Sequence, residues 1–239
     1  MTATVRPTEE TAPPARAAVI GLPAALRAAA ADLYFNSWRL APANLLWGAL
    51  AIALFLGFMA FPPAAILVPL LAVPVAGIHR MAALIARGEP AAFSDFLGGM
   101  RRFGLPALAM GAAASILAVV FTTNVIVGLD AGGPIGWFLS AMALYGDVAL
   151  AMLLVAFWPV LVDPRRDGVS VRRRLALAGV AVIGRPGRMF VLTVVVGLIL
   201  MVSTVILAAI VLVSVAFTSL VAARYVLPLV DDLEGRLRA

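Results

Sequence analysis

Apolar positions along this chain fall in long unbroken blocks, without the alternation of a strand or the single stripe of a water-soluble helix. Blocks at 44–61, 64–84, 105–127 and 135–162 are each long enough for one membrane-spanning helix. About 20 apolar residues at 1.5 Å rise cover the ~30 Å hydrocarbon core of a bilayer. A further block, 189–230, carries only Arg224, is too long for one tilted span, and predicts two, near 189–207 and 209–229. Prolines and glycines punctuate these blocks: Pro62-Pro63 turns the chain, GLDAGGP at 128–134 joins two spans, and Pro74 is tolerated as a kink.

Between the blocks lie amphipathic or polar segments. Leu26, Leu33, Tyr34 and Trp38 share one side of a helix over 23–39 that lies on the membrane surface. Phe93, Phe96, Leu97 and Met100 recur at helical spacing opposite Asp95 and Arg102, predicting an interfacial helix that begins after Pro90. Asp163-Pro164 and Pro186 bracket a second insertion with a short apolar helix near 171–184. Residues 1–22, rich in Pro, Thr, Ala and charge, read as a disordered cytoplasmic tail. The expected architecture is an all-α polytopic integral membrane bundle. It has six transmembrane helices and two cytoplasmic interfacial helices, in one transmembrane domain over 23–239.

Composition agrees. The chain is 64% hydrophobic and 13% charged, with mean hydropathy +1.08, where a soluble domain has about a quarter of its residues charged. All 18 basic residues are arginine and the net charge is +6. With six spans and both termini in the cytoplasm, every arginine falls on the inner side and the outer connections hold only Asp130. A five-span arrangement ranks second, because it puts the tail DDLEGRLRA outside. The expected location is the plasma (inner) membrane of a bacterium. The expected partners are anionic lipid headgroups and transporter subunits, with no nucleic acid. Cysteine is absent, which excludes disulfides and thiolate chemistry.

Candidate chemistry is sparse. Asp147 is the one charge in the 135–162 block and sits near its middle, where a carboxylate is costly unless paired, protonated or facing water. On a helical wheel it shares a face with Gly136, Ser140, Ala143 and Ala151. Ala107, Gly111, Ser115 and Ala118 form a matching small-residue stripe in the preceding span. Asp147 is either a proton, cation or substrate ligand, or a buried carboxyl bonded to Tyr145 or Ser115 that locks helix packing. Arg80 either reaches Asp147 or snorkels to the headgroups, and His79 beside it lacks companion metal ligands. Arg101, Arg102, Arg165, Arg166, Arg172, Arg173 and Arg174 make a basic cytoplasmic face. That face either binds lipid or an acidic partner, or only fixes topology. No zinc-protease, serine-hydrolase, nucleotide-loop or dinucleotide motif is present, so no catalytic residue, metal or cofactor is assigned.

Two longer patterns carry a resemblance. ANLLWGALAIAL at 43–54 and PVAGIHRMAALIARGEPAAFSDFLGGMRRFG at 74–104 resemble the YesL-like family of bacterial membrane proteins. The matching residues are Asn44, Leu45, Trp47, Pro74, Arg87, Gly88, Glu89, Asp95, Phe96 and Phe103, and FWPVLVD at 157–163 is also similar. Val73 stands where the family pattern has Gly. The resemblance implies a link to carbohydrate uptake and brings no catalytic residues. The leading expectation is therefore an accessory or permease-like component linked to carbohydrate uptake. The alternatives are an interaction or regulatory module working through its basic loops and, third, an intramembrane enzyme.

Overall fold

The computed structural model describes residues 20–206 and 213–238, and no strand occurs among them. Helix α1 runs Leu22–Ala60, and after Phe61 a ten-residue 3-10 segment, Pro62–Leu71, leads straight into α2, Ala72–Ala86. Then follow α3, Phe93–Ala131, and α4, Gly133–Leu161. A 3-10 turn, Pro164–Arg166, precedes α5, Val171–Gly184, and α6, Pro186–Val205. The last helix, α7, runs Val215–Arg238.

Five segments are long and apolar enough to cross a membrane: α1, the continuous Pro62–Ala86 unit, α3, α4 and α6. The expected sixth span, 209–229, coincides with α7 from Val215 onward, but described α7 is not among the five. The turn expected before it falls at 207–212, outside the described residues, as does the expected tail up to residue 19.

The interfacial helices expected over 23–39 and 93–102 are not separate elements. Each is the first part of a continuous helix of 39 residues, α1 or α3, with Pro42 and Pro106 inside. Such a helix is about 58 Å long, nearly twice the hydrocarbon core, so it projects well beyond it. Proline removes one backbone bond, but away from water continuing the helix leaves fewer groups unsatisfied than breaking it. Only the helix near 171–184 stands alone, because Arg185-Pro186 ends α5 and starts α6.

α3 and α4 form a tight hairpin whose turn is Gly132-Gly133, with φ of +61° and +67°, a conformation side-chain-bearing residues rarely adopt. The two helices nearly touch: a Cβ on Gly128 would lie 2.4 Å from Ser140 Oγ and 2.7 Å from the Gly136 carbonyl. The stripe on α4 therefore packs against α3, as its small residues suggest, with Gly136 and Ser140 meeting Gly128. A Cβ on Gly111 would lie 2.7 Å from Ala72 Cβ and 3.2 Å from the Pro69 carbonyl, so Gly111 of the α3 stripe faces the Pro62–Ala86 unit.

α7 is the core of the bundle, packing against α1, α2, α4, α5 and α6. Ala216, Leu220, Ala223, Val226 and Leu229 along it are fully buried. Large apolar side chains face outward from the surrounding helices, among them Phe55, Met59, Ile116, Phe138, Met142 and Met201. A belt of this size is a lipid-facing surface. Charged residues gather at one end of the bundle, formed by the start of α1, the 87–92 and 162–170 connections, and the end of α7.

Candidate functional site

The polar end is organised by the DPRRDG connection at 163–168. Asp163, fully buried, follows the last residues of α4 and accepts from the Arg165 backbone N–H at 3.2 Å. Arg87, at the C-cap of α2, donates to Asp163 at 3.1 and 2.6 Å and to Asp231 of α7 at 2.5 and 3.2 Å. Arg166 donates to Asp163, to Asp231 at 2.7 Å and to Glu234 at 3.1 Å. Two buried guanidiniums and three carboxylates thus join the ends of α2, α4 and α7. Burial works against the Arg87 and Arg166 charges, but their carboxylate partners outweigh it and hold both guanidiniums above their ordinary value. Burial likewise opposes the Asp231 charge, and its bonds with Arg87 and Arg166 prevail, holding that carboxyl below its ordinary value.

A second knot grips the same connection from the other side. Arg80 makes a two-pronged pair with Asp167, 3.0 Å on each arm, and also donates to the Val162 carbonyl at 2.8 Å. Arg102 of α3 pairs with Asp167 at 2.9 Å. Arg174 of α5, almost fully buried, donates to the carbonyls of Leu161, Arg166 and Val169. The first of these lies at the end of α4, where a carbonyl lacks a helical partner. Burial is the leading influence on Arg174 and draws it below its ordinary value. On the opposite flank Arg224 pairs with Asp32 at 2.7 Å, tying α7 to α1.

These contacts divide the arginines expected to form one basic face. Arg166 and Arg174 are interior structural cations and are not available to a lipid or a partner. Arg101 and Arg172 are exposed and make no ion pair among the described residues, while Arg165 and Arg173 are exposed and held only at 3.5 and 3.8 Å. Arg102 is half exposed. Arg80, expected to reach Asp147 or the headgroups, is committed to Asp167 and the Val162 carbonyl at the polar end of the bundle.

Asp147 faces α3, where Thr122 donates to it at 3.3 Å. Tyr145 points outward, 72% exposed, and Ser115 lies on the α3 face toward the Pro62–Leu71 segment, beside Ala65 and Pro69. Neither expected partner therefore meets Asp147. The hydroxyl that does, Thr122, directly follows Phe121, whose ring covers Gly146.

A cavity of about 320 Å³ opens among α1, α2, α4, α6 and α7, lined by Trp47, Val75, His79, Trp158, Val196 and Thr218 among others. His79 is 7% exposed and its ring lies nearly parallel to Trp158, centroids 6.1 Å apart at 22°. Trp47 Nε1 and His79 Nδ1 are both buried and have no hydrogen-bond partner among the described residues. Thr218 is satisfied internally, donating to the Ser214 and Val215 carbonyls. No cluster of three metal-ligating side chains occurs among the described residues. No protein-family model, curated protein or solved structure matches the chain.

Proposed function

We propose that the protein is an accessory component of a membrane transport system, seated in a bacterial plasma membrane with its polar end and both termini in the cytoplasm. It engages a partner or anionic headgroups through that end and does not carry a solute alone. The orientation rests on arginine placement. The link to carbohydrate uptake rests on the YesL-like resemblance of 43–54 and 74–104.

The observation that carries the reading is the division of charge at the polar end. Arg87, Arg166 and Arg174 are committed to internal contacts that fasten the helix ends together. Arg101, Arg172 and Arg173 remain exposed at the fastened end, cations suited to an acidic surface. Asp147, which a self-contained carrier would need in its path, lies between α3 and α4 and does not line the cavity.

The test is cross-linking in cells followed by purification of the tagged protein. Wild type and Asp147→Asn are expected to recover a transport ATPase or a solute-binding subunit, and the triple variant R101Q/R172Q/R173Q to lose it. The reverse ranking, with uptake abolished by Asp147→Asn while the triple variant transports normally, overturns the reading in favour of a carrier.

A further inference from the structure

We propose that the cavity between Trp47 and His79 binds a neutral, mostly apolar molecule bearing one carbonyl or hydroxyl oxygen. Four observations converge on that class.

The first is chemical. Trp47 Nε1 is a donor only, so whatever satisfies it must accept a hydrogen bond. His79 Nδ1 can either donate or accept, and it too has no partner among the described residues. A carbonyl oxygen accepts from one or both; a hydroxyl accepts from Trp47 and donates to the imidazole. Buried polar atoms left unmatched away from water are costly, so a ligand that matches them gains affinity over a plain hydrocarbon.

The second is charge. No Asp, Glu or Arg lines the cavity. An ion placed there would lose its hydration without a counter-charge, which rules out sugar phosphates, carboxylates and ammonium compounds. The third is size: about 320 Å³ is at the small end of ligand sites. At ~30 Å³ for a water-sized group it holds roughly ten heavy atoms, enough for a short chain or a small ring system.

The fourth is depth. Helix rise places His79 about 12 Å from Arg87 along α2 and Thr218 about 20 Å from Asp231 along α7. Lipid phosphates stay near the charged end and do not reach this level. Four of the five helices that wall the cavity, α1, α2, α4 and α7, are tied together by the ion pairs at the polar end and flank.

The experiment uses the full chain in phosphatidylcholine nanodiscs and a ten-carbon alkyl ketone with a terminal diazirine as photoprobe. Labelling is expected on the cavity walls, at Leu154, Val196 or Ala222. Unlabelled 2-decanone should displace it about tenfold better than decane, the worth of one hydrogen bond in an apolar site. Trp47→Phe and His79→Leu should each reduce labelling about five- to tenfold. Ala222→Leu, which fills the cavity, should abolish labelling while the protein still elutes as the folded species. Equal competition by decane, or labelling that survives Ala222→Leu in folded protein, overturns the proposal and identifies the space as a lipid-tail crevice. The competition arm needs only wild type, so it decides the matter even where a variant fails to fold.

Discussion

Arg87 holds Asp163 and Asp231 at once, its guanidinium reaching one carboxylate at the end of α4 and the other near the end of α7. Arg87 is 5% exposed and Asp163 is fully buried, so solvent cannot replace either partner. Removing one member of such a set leaves an uncompensated charge in a low-dielectric site, which costs about 3–5 kcal/mol. Arg87→Leu is therefore expected to destabilise the protein by that amount. Arg172→Leu, on the exposed face, should change stability by less than about 0.5 kcal/mol. Thermal unfolding of the detergent-solubilised variants checks the pair; equal midpoints would mean that the knot contributes nothing to the fold.

The same knot dictates a pH response. The Asp231 carboxyl is held below its ordinary value of 3.8, so in the folded state it stays ionised where the unfolded chain has begun to bind a proton. Its stabilising contribution is complete above the unfolded value and is lost as pH falls through the lower, folded one. The unfolding midpoint should therefore be insensitive to this group between pH 5 and 7, within about one degree, and should fall on further acidification. Asp231→Asn removes that part of the acid dependence and lowers stability at neutral pH. A variant whose midpoint tracks wild type through the acid limb would show that Asp231 is not a linked group.

The bundle architecture is legible because apolar blocks alone decide which segments leave water: 105–127 sits inside α3, and 135–162 matches α4 to within one residue at its C-terminal end. Helix boundaries were less legible. Pro42 and Pro106 signal breaks in water, yet both are spanned by unbroken helix. The ionic hub is less legible, because an arginine beside a membrane can turn either to headgroups or to acids at its own end of the molecule, and sequence spacing alone does not choose between them. A local signal existed: Asp163 and Arg166 stand three apart around Pro164, and Asp231 and Glu234 repeat that spacing in α7. The cavity had none, since Trp47, His79, Trp158 and Thr218 come from four helices that only tertiary packing brings together.

Gly128 and Gly98 lie in the same helix and should respond oppositely to alanine. At Gly128 the new methyl would sit 2.4 Å from Ser140 Oγ and 2.7 Å from a backbone carbonyl, forcing α3 and α4 apart. That overpacking costs about 1–3 kcal/mol. At Gly98 nothing lies within 4 Å, so alanine adds helix propensity and is expected to be neutral or to stabilise by about 0.5–1 kcal/mol. Unfolding midpoints of Gly128→Ala and Gly98→Ala give the comparison directly, and matching shifts would rule out the tight crossing.

The natural absence of cysteine makes topology testable without a prior knockout. A cysteine at Asp130, at the hairpin between α3 and α4, is expected to react with a membrane-impermeant maleimide on intact cells. One at Arg172, on the exposed face of the polar end, should react only after permeabilisation. The opposite pattern would invert the molecule and remove the cytoplasmic patch from consideration as a partner surface.

Asp147 provides the last discrimination. Its contact with Thr122, at 3.3 Å, is long for a hydrogen bond to a carboxylate, and it lies between two helices already fixed by Gly128, Gly136 and Ser140. Asparagine is nearly isosteric and its carbonyl can accept from the same hydroxyl. Asp147→Asn is therefore expected to alter stability by less than about 1 kcal/mol and to leave partner capture unchanged. Asp147→Leu, which leaves the Thr122 hydroxyl without this acceptor, should cost slightly more, about 1–2 kcal/mol. If instead Asp147→Asn abolishes a proton or cation flux in reconstituted vesicles while the fold is intact, the carboxylate is a working group. The closed α3–α4 contact would then have to open during transport.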